Sequence, residues 1–524
     1  MIWRCIEAVL FFLGFYVEFL YVLHMFQQNR YEIGRFYHWM KDHISEIYHE
    51  LYFPFGLVFL SIIWSFIPVT AVKWPGMIGM SLLLSVMYRF QNQFHITIKP
   101  LVLTSRVKRQ LFISFLLVGL TIFSFIYFRL DFLWLLCLTL SPWLYMYLVG
   151  WLTYPFEKAI QQYYIHLGKK RLYAQTDLIK IGITGSYGKT STKNIIHSIV
   201  REEYNALMTP ASYNTPMGIT MTIRHYLKPI HQVFICEMGA DHRGEIKRLM
   251  KYVQPQIGVV TSIGPQHLLT FGSLENIIAE KMQMIECLPK ENGLGVINLD
   301  NPYIRQYKVK NKVPLISFGI QSKDADYRAV KINYTATGSY FTVIHAQEEV
   351  RFHTKLLGEL NIMNILSGIV VSRHLGVSWK SLQRAVANME QVEHRLELKK
   401  MNGYRFIDDA FNANPIGAKI SLEVLSMMPG KRYIITPGMI DLGKKQDEYN
   451  REFGKQMKHF VDEVILVGPK QTKAIQEGLA EMNFDSEHIH VYQTVKEAFS
   501  YVYEHANEHD TILLENDLPE AFSR

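Results

Sequence analysis

Cysteine is scarce in this chain. Only Cys5, Cys137, Cys236 and Cys287 occur in 524 residues, and they make no C-x-x-C pair and no even framework of spacings. That argues against a zinc ribbon and against a disulfide scaffold, and it fits a reducing compartment. No small-residue cleavage site follows the first apolar stretch, and more apolar stretches come after it, so a cleavable signal peptide does not fit. A concentrated basic patch is also missing. The net charge is +8, and much of the excess lies beside apolar segments, which points to a membrane surface and away from nucleic acid.

The apolar residues are unevenly spread. Residues 1–150 hold five long runs, at about 5–24, 52–71, 74–88, 111–128 and 132–150, each near the length that crosses a hydrocarbon core, the third being short. The first carries Glu7 and Glu18, which are costly in a bilayer unless they face protein or lie near a boundary. Arg30, Arg35 and Lys41 fill one loop and Arg89, Lys99, Arg106, Lys108 and Arg109 another, whereas the alternate loops offer only Lys73 and Arg129. By the positive-inside rule this predicts an outside N-terminus and an inside location for everything after residue 150. Residues 155–175 mix aromatic and apolar positions with Lys169, Lys170 and Arg171, and read either as an amphipathic connector on headgroups or as a solvated linker helix.

From residue 178 the pattern becomes that of an α/β protein. The stretch LIKIGITGSYGKTSTKNIIHSIV reads as a short apolar strand, a glycine turn and a helix with apolar residues at helical spacing. A phosphate-binding loop needs that context, because the amides at a helix start point at the anion and the helix dipole favours negative charge. Lys189 would reach terminal phosphates and the Thr190 hydroxyl would ligate magnesium. The usual first glycine is missing, however. Counting back from Gly188-Lys189-Thr190 reaches Ile183, with glycines at 182 and 185 instead. Glu237 ends the apolar run VFIC and His267 follows the run IGVVTSIG, so both would emerge at the carboxyl edge of a parallel sheet, where such sheets bind ligands. No LSGGQ-like signature accompanies the loop, which disfavours a transporter ATPase.

The form G-x-T-G-x-x-G-K-T resembles the loop of the Mur ligase superfamily, ATP-dependent amide-forming enzymes of cell-wall synthesis. CEMGADHRGEI at 236–246, TSIGPQHLLTFGSLENIIAEK at 261–281 and DDAFNANP at 408–415 follow in the family's order and are most similar to its D-alanyl-D-alanine-adding branch. The resemblance runs from residue 178 to about 500 and leaves out the first 150 residues. The resemblance implies an α/β P-loop central ATP-binding domain over 178–392 and an α/β Rossmann-like C-terminal domain over 393–524; with the apolar runs read as transmembrane helices over 1–150 and an amphipathic linker over 151–177, the chain is multi-domain.

The resemblance also implies roles. ATP would be bound by Gly185, Ser186, Tyr187, Gly188, Lys189, Thr190 and Ser191, with Asn298 of NLDN (298–301) and Asn364 at adenosine, Arg395 on the phosphates and Asp409 near the ribose, Asn412 and Asn414 belonging to the same strand-turn. Two magnesium ions would be held by Thr190, Glu237, His267 and Lys281, the last carrying a carbamate; Lys189, Lys281 and His267 would serve the chemistry. Without the resemblance, the Asn and Asp positions read equally as caps and turns, His267 as a local hydrogen-bonding residue and Lys281 as a surface lysine.

The D-alanyl-D-alanine-adding branch starts with a soluble domain that grips the UDP-sugar, where this chain has apolar runs and a short connector, and three further departures concern the adenosine contact and the substrate. Leu360-Asn361 stands where the family usually has His-Asn, Asn450 where His is common, and LLENDLPEAF (513–522) where a Lys-Gly-Ser stretch is usual. The expectation is an ATP-dependent carboxylate–amine ligase acting through an acyl phosphate. It would be anchored in the plasma membrane by several spans with its catalytic domains cytoplasmic, and would act on small-molecule amine and carboxylate partners, lipid-linked or polymeric ones included. A ligase for a poly-glutamate capsule or another amide-modified surface polymer is the alternative, and a non-catalytic ATP-binding scaffold a third.

Overall fold

The computed structural model describes residues 2–44, 100–128, 142–335, 337–401, 403–410, 413–440 and 442–516. Among these, residues up to Gln162 form one compact unit and residues from Tyr163 onward another.

The first unit is helical. Helices Ile2–Gln28, Ile33–Asp42 and Ser105–Tyr127 and the early turns of Pro142–Tyr173 surround an aromatic-rich core that includes Phe15, Phe19, Phe26, Phe36, Trp39 and Trp143. Thr104 caps Ser105–Tyr127 by accepting from the Val107 amide at 3.2 Å, and Arg109 grips Glu157 through two bonds of 2.6 and 2.8 Å. The expected span at 5–24 falls within Ile2–Gln28, which buries Glu18 and His24 beside Phe15 and Phe19. Helix Ser105–Tyr127 covers most of the expected span at 111–128, and among the described residues it alone is long and apolar enough to cross a membrane. The expected spans at 52–71 and 74–88 lie outside the described residues, and that at 132–150 is described only from Pro142. Pro142–Tyr173 is one helix with Pro155 inside it, so the expected connector begins without a break.

The second unit carries two sheets. The larger has the order β2-β3-β1-β4-β5-β6-β7-β8-β9, built from β1 (Ile179–Thr184), β2 (Ala206–Met208), β3 (Val233–Glu237), β4 (Ile257–Val260), β5 (Leu294–Asn298), β6 (Leu315–Gly319), β7 (Tyr327–Thr335), β8 (Gly338–His345) and β9 (Glu348–Thr354). Pairing is parallel from β2 to β7, and β7, β8 and β9 are antiparallel. Strands β3, β4 and β5 are buried at every residue, which is why they read as continuous apolar runs without alternation. One face is covered by helices Lys189–Val200 and Gly358–His374, the other by Glu245–Val253 and Leu274–Glu286. Leu172, near the end of helix Pro142–Tyr173, belongs to this second core. Strand β1 lies between β3 and β4, so chain order reverses across it and a crevice opens at its carboxyl end.

The smaller sheet has the order β10-β11-β15-β12-β13-β14, from β10 (Glu397–Met401), β11 (Tyr404–Asp409), β12 (Arg432–Thr436), β13 (Glu463–Val467), β14 (Ile489–Tyr492) and β15 (Thr511–Glu515). Only β10 and β11 run antiparallel. Asp409 and Glu515 therefore finish neighbouring parallel strands in register.

Candidate active site

The loop after β1 is shaped by two glycines. Gly185 has φ +156, and a Cβ there would lie 2.1 Å from Thr261 Oγ1; Gly188 has φ +81, and a Cβ would lie 2.7 Å from Asn364 Oδ1. Between them the backbone is tied to the segment after β4. The Ser186 amide donates to Ser262 O at 2.8 Å, Ser186 Oγ to Gly264 O at 3.0 Å, the Tyr187 amide to Ser262 Oγ at 3.0 Å, and Thr261 Oγ1 to Tyr187 O at 2.6 Å. Ser191 is buried in the first turn of helix Lys189–Val200. The Lys189 ammonium turns back over this loop and donates to Gly185 O at 2.7 Å and Ser186 O at 3.1 Å. Burial lowers its pKa to about 8; the Glu237 carboxylate opposes that and the Arg395 guanidinium adds to it.

Glu237 ends β3 with its side chain 1% exposed, and three side chains converge on it. Thr190 Oγ1 donates to Oε2 at 3.0 Å, Lys193 Nζ stands 3.3 Å from Oε2, and Asn214 Nδ2 donates to Oε1 at 3.0 Å. Lys193, one turn beyond Lys189, is equally buried and also donates to Ala211 O. Lys193 and Asn214 were missed from sequence. A lysine four positions after another on a helix gives no sign that its ammonium faces a strand end.

Lys281, on helix Leu274–Glu286, is 2% exposed rather than on the surface. Its ammonium donates to Ala240 O at 3.0 Å and lies 5.7 Å from the centre of the Phe271 ring. Burial lowers its pKa to about 7, the neighbouring Lys189 charge contributes, and Glu280, Glu245 and Asp241 oppose. His267 stands immediately before the short helix Leu268–Phe271 with left-handed backbone, φ +54.

The remaining candidates divide. Asn364, on helix Gly358–His374, meets the loop: its Oδ1 accepts from Thr192 Oγ1 at 3.1 Å, while its buried Nδ2 has no hydrogen-bond partner among the described residues. Arg395 has its charge beside Asp409 and Glu237, linking the second lobe to the strand ends of the first. Asp409 accepts from Ser421 Oγ at 2.6 Å and from the Leu396 amide at 3.3 Å. Asn298, by contrast, spends its side chain on Thr261 O at 2.9 Å and the Asp300 amide at 2.9 Å, and Asn301 and Asn414 cap the helices that follow them. Asn361 donates back to Leu357 O at 2.9 Å. Asn450 fixes the backbone of Met439, accepting from its amide and donating to its carbonyl, both at 2.8 Å. Asn412 lies outside the described residues.

Residues 183–372 match the Mur ligase middle domain, and residues 394–515 the Mur ligase, glutamate ligase domain, together more than half the chain. The chain belongs to the Mur ligase family. It is therefore an ATP-dependent amide-forming ligase, and Mur ligases work with ATP and Mg2+. The chain is 28% identical over 338 residues to a UDP-N-acetylmuramoyl-tripeptide–D-alanyl-D-alanine ligase of Bacillus subtilis, spanning 64% of this chain and 72% of that one. Against the Escherichia coli ligase of the same name it is 30% identical over 298 residues, 56% and 65% of the two chains. Among solved structures, MurF from Acinetobacter baumannii aligns with TM-score 0.62 at 23% identity over 69% of this chain and 78% of that one. MurF ligase from Thermotoga maritima in complex with ADP aligns with TM-score 0.61, also at 23% identity, over 68% and 80%. These two likenesses concern the fold.

One expectation is overturned. A multi-pass plasma-membrane placement does not hold for a Mur ligase whose matched relatives are muramoyl-peptide ligases and which, among the described residues, has one helix with the length and apolarity of a span. The physical reason is that a long apolar run has two outlets, lipid or a protein core. Ile2–Gln28 takes the second, burying a carboxylate and an imidazole among packed aromatics. The positive-inside argument built on those runs goes with it.

Proposed function

We propose that this Mur ligase joins the carboxylate of a peptidoglycan-precursor peptide to a small amine substrate through an acyl phosphate. The matched relatives suggest UDP-N-acetylmuramoyl-tripeptide as the acid and D-alanyl-D-alanine as the amine. The observation that carries this reading is the convergence of Lys189, Thr190, Glu237 and Lys281 at the strand ends around the loop, with Arg395 reaching them from the second lobe.

In the first step a carboxylate oxygen attacks the γ-phosphorus, the bond to the bridging oxygen breaks, and ADP leaves. Both reactants are anions, so the barrier is largely their repulsion. Lys189, Lys193 and Arg395 supply fixed positive charge in a partly dry site, where it acts more strongly than in water. In the second step the amine nitrogen attacks the acyl carbon and phosphate departs. One proton must leave the ammonium before attack, and the second leaves with the phosphate.

The donor set suits magnesium. The Thr190 hydroxyl and the Glu237 carboxylate lie 3.0 Å apart and are oxygen donors that would help hold magnesium. His267 and a carbamylated Lys281 would complete the holding groups, and a bound ion supplies charge neutralisation of the phosphates. Lys281 is suited to carbamylation because its amine is substantially neutral near pH 7. Neutral nitrogen adds to carbon dioxide and releases one proton, turning a cation into an anion beside the phosphate site.

The test is mass analysis of products from ATP, UDP-N-acetylmuramoyl-tripeptide and D-alanyl-D-alanine. One ADP per new amide is the expected result; ATP breakdown without any amide product refutes the proposal.

A further inference from the structure

Two residues without the freedom of glycine hold left-handed backbone on either side of Arg395: His394 at φ +56 and Leu396 at φ +50. Such values are uncommon for residues with a side chain, and more so for one as bulky as leucine. Strain of this kind persists only where its surroundings over-determine it, and it collects at functional sites. Here a closed circle of four residues holds it. The His394 amide donates to Glu397 Oε2 at 3.0 Å, and the ring Nδ1 of His394 lies 2.8 Å from Asp408 Oδ2. Lys399 completes the circle, bonding Asp408 Oδ2 at 2.7 Å and Glu397 Oε2 at 2.9 Å.

The sheet explains why the circle closes. Glu397 and Asp408 face each other directly across antiparallel β10 and β11. Like charges so placed repel, and the Lys399 ammonium between them offsets that. Burial acts to raise the Asp408 carboxyl, but bonds from Lys399, His394 and the Ala410 amide outweigh it and hold the group below the usual carboxylate range. An ionised carboxylate only accepts, so Nδ1 of His394 carries the hydrogen it donates. The ring is half exposed, so packing contributes little to its place. Between the two strained residues, the Arg395 charge lies beside Asp409 of β11 and Glu237 of β3, one from each lobe. A turn relaxed to the ordinary right-handed backbone would swing that guanidinium away.

We infer that His394 is a positioning residue for the reaction: its bond to Asp408 locks the left-handed turn that delivers the Arg395 guanidinium to the phosphate side of the crevice. This rests on the ligase reading above, in which Arg395 offsets the charge of the reacting phosphate. A backbone requirement alone would not need the imidazole. Glycine takes left-handed backbone more readily than histidine does. Asparagine and aspartate also tolerate it, and of these two only asparagine keeps a donor near the Nδ1 position.

The experiment measures ATP turnover by the full chain with acid and amine present, for wild type, His394→Gly, His394→Asn, His394→Asp, Arg395→Ala and the double variant His394→Gly/Arg395→Ala, with thermal unfolding of each. His394→Gly should lower kcat by at least about tenfold while KM for ATP moves less than about threefold, because a slightly displaced guanidinium costs rate while the loop around Lys189 still holds the nucleotide. His394→Asp should lose as much, and His394→Asn should recover most of the rate. In the Arg395→Ala background, His394→Gly should change kcat less than about twofold, since nothing is left to position. His394→Gly turning over as fast as wild type reduces His394 to a backbone requirement and overturns the inference. Should His394→Gly fail to fold, His394→Asp keeping pace with His394→Asn overturns it equally. An Arg395→Ala chain with undiminished turnover sinks the inference and leaves the ligase reading standing. A wild-type chain that turns over no ATP overturns both.

Discussion

Replacing Lys281 with methionine should make the free protein more stable and the enzyme inactive. The ammonium is 2% exposed, and its pKa falls to about 7 from an ordinary 10.5. The sign follows from proton counts. Between those two values the unfolded chain binds more protons than the folded one, so stability rises with pH across the interval, and the penalty is fully present below about 7. At pH 7 the penalty is about 4 kcal/mol, and by pH 9 about half of it is gone. Methionine fills the same space with no charge to bury. Thermal unfolding of the two proteins at pH 7 and pH 9 checks this: Lys281→Met should melt several degrees higher at pH 7, with a smaller margin at pH 9. Activity should fall by at least about 100-fold, since methionine can carry neither carbamate nor charge. In wild type, 13C-labelled bicarbonate should give a carbamate carbon signal that Lys281→Met lacks. A variant that melts lower at pH 7, or that retains turnover, refutes the argument.

Lys193→Met leaves the buried Glu237 without its cation, and should cost about 3–5 kcal/mol in chemical unfolding while shifting the magnesium concentration needed for half-maximal activity. Lys193→Arg should recover part of both. Gly188→Ala puts a Cβ 2.7 Å from Asn364 Oδ1 at a φ of +81, so ADP affinity measured by calorimetry should fall by about 1–3 kcal/mol. Thr494→Ala breaks the capping box that opens helix Val495–His505, where Thr494 and Glu497 each bond the other's backbone. It should lower stability by about 1 kcal/mol with turnover unchanged, since no candidate site residue lies on that helix.

What could be read from sequence was whatever depends on neighbours along the chain. The strand, glycine turn and helix around Lys189 announce themselves by a change of period over a few residues, and Glu237 by its place after VFIC. What could not be read depends on strand order. Lys193 meets Glu237 only because β3 lies beside β1, and Asn214 reaches the same carboxylate from a loop that nothing in its sequence ties to the site. Asn298 shows a different limit. An asparagine near a strand end has the right chemistry for adenine and also for closing a turn, and the Asn298 side chain bonds Thr261 O and the Asp300 amide.

Glu515 brings these two kinds of information together. From sequence it is only a departure in a stretch where lysine is usual, and a departure has no sign of its own: an acid can point to solvent, pair with a neighbour or line a site. The register Asp409↔Glu515 removes the first choice by seating it, fully buried, in a central strand beside Asp409. The same logic links Glu515 with Lys281. Each is a buried ionisable group whose burial disfavours its charged form, Glu515 at the end of β15 and Lys281 on helix Leu274–Glu286. A neutral substitution at Lys281 should therefore raise stability and reduce function, which is how a site residue differs from a packing residue.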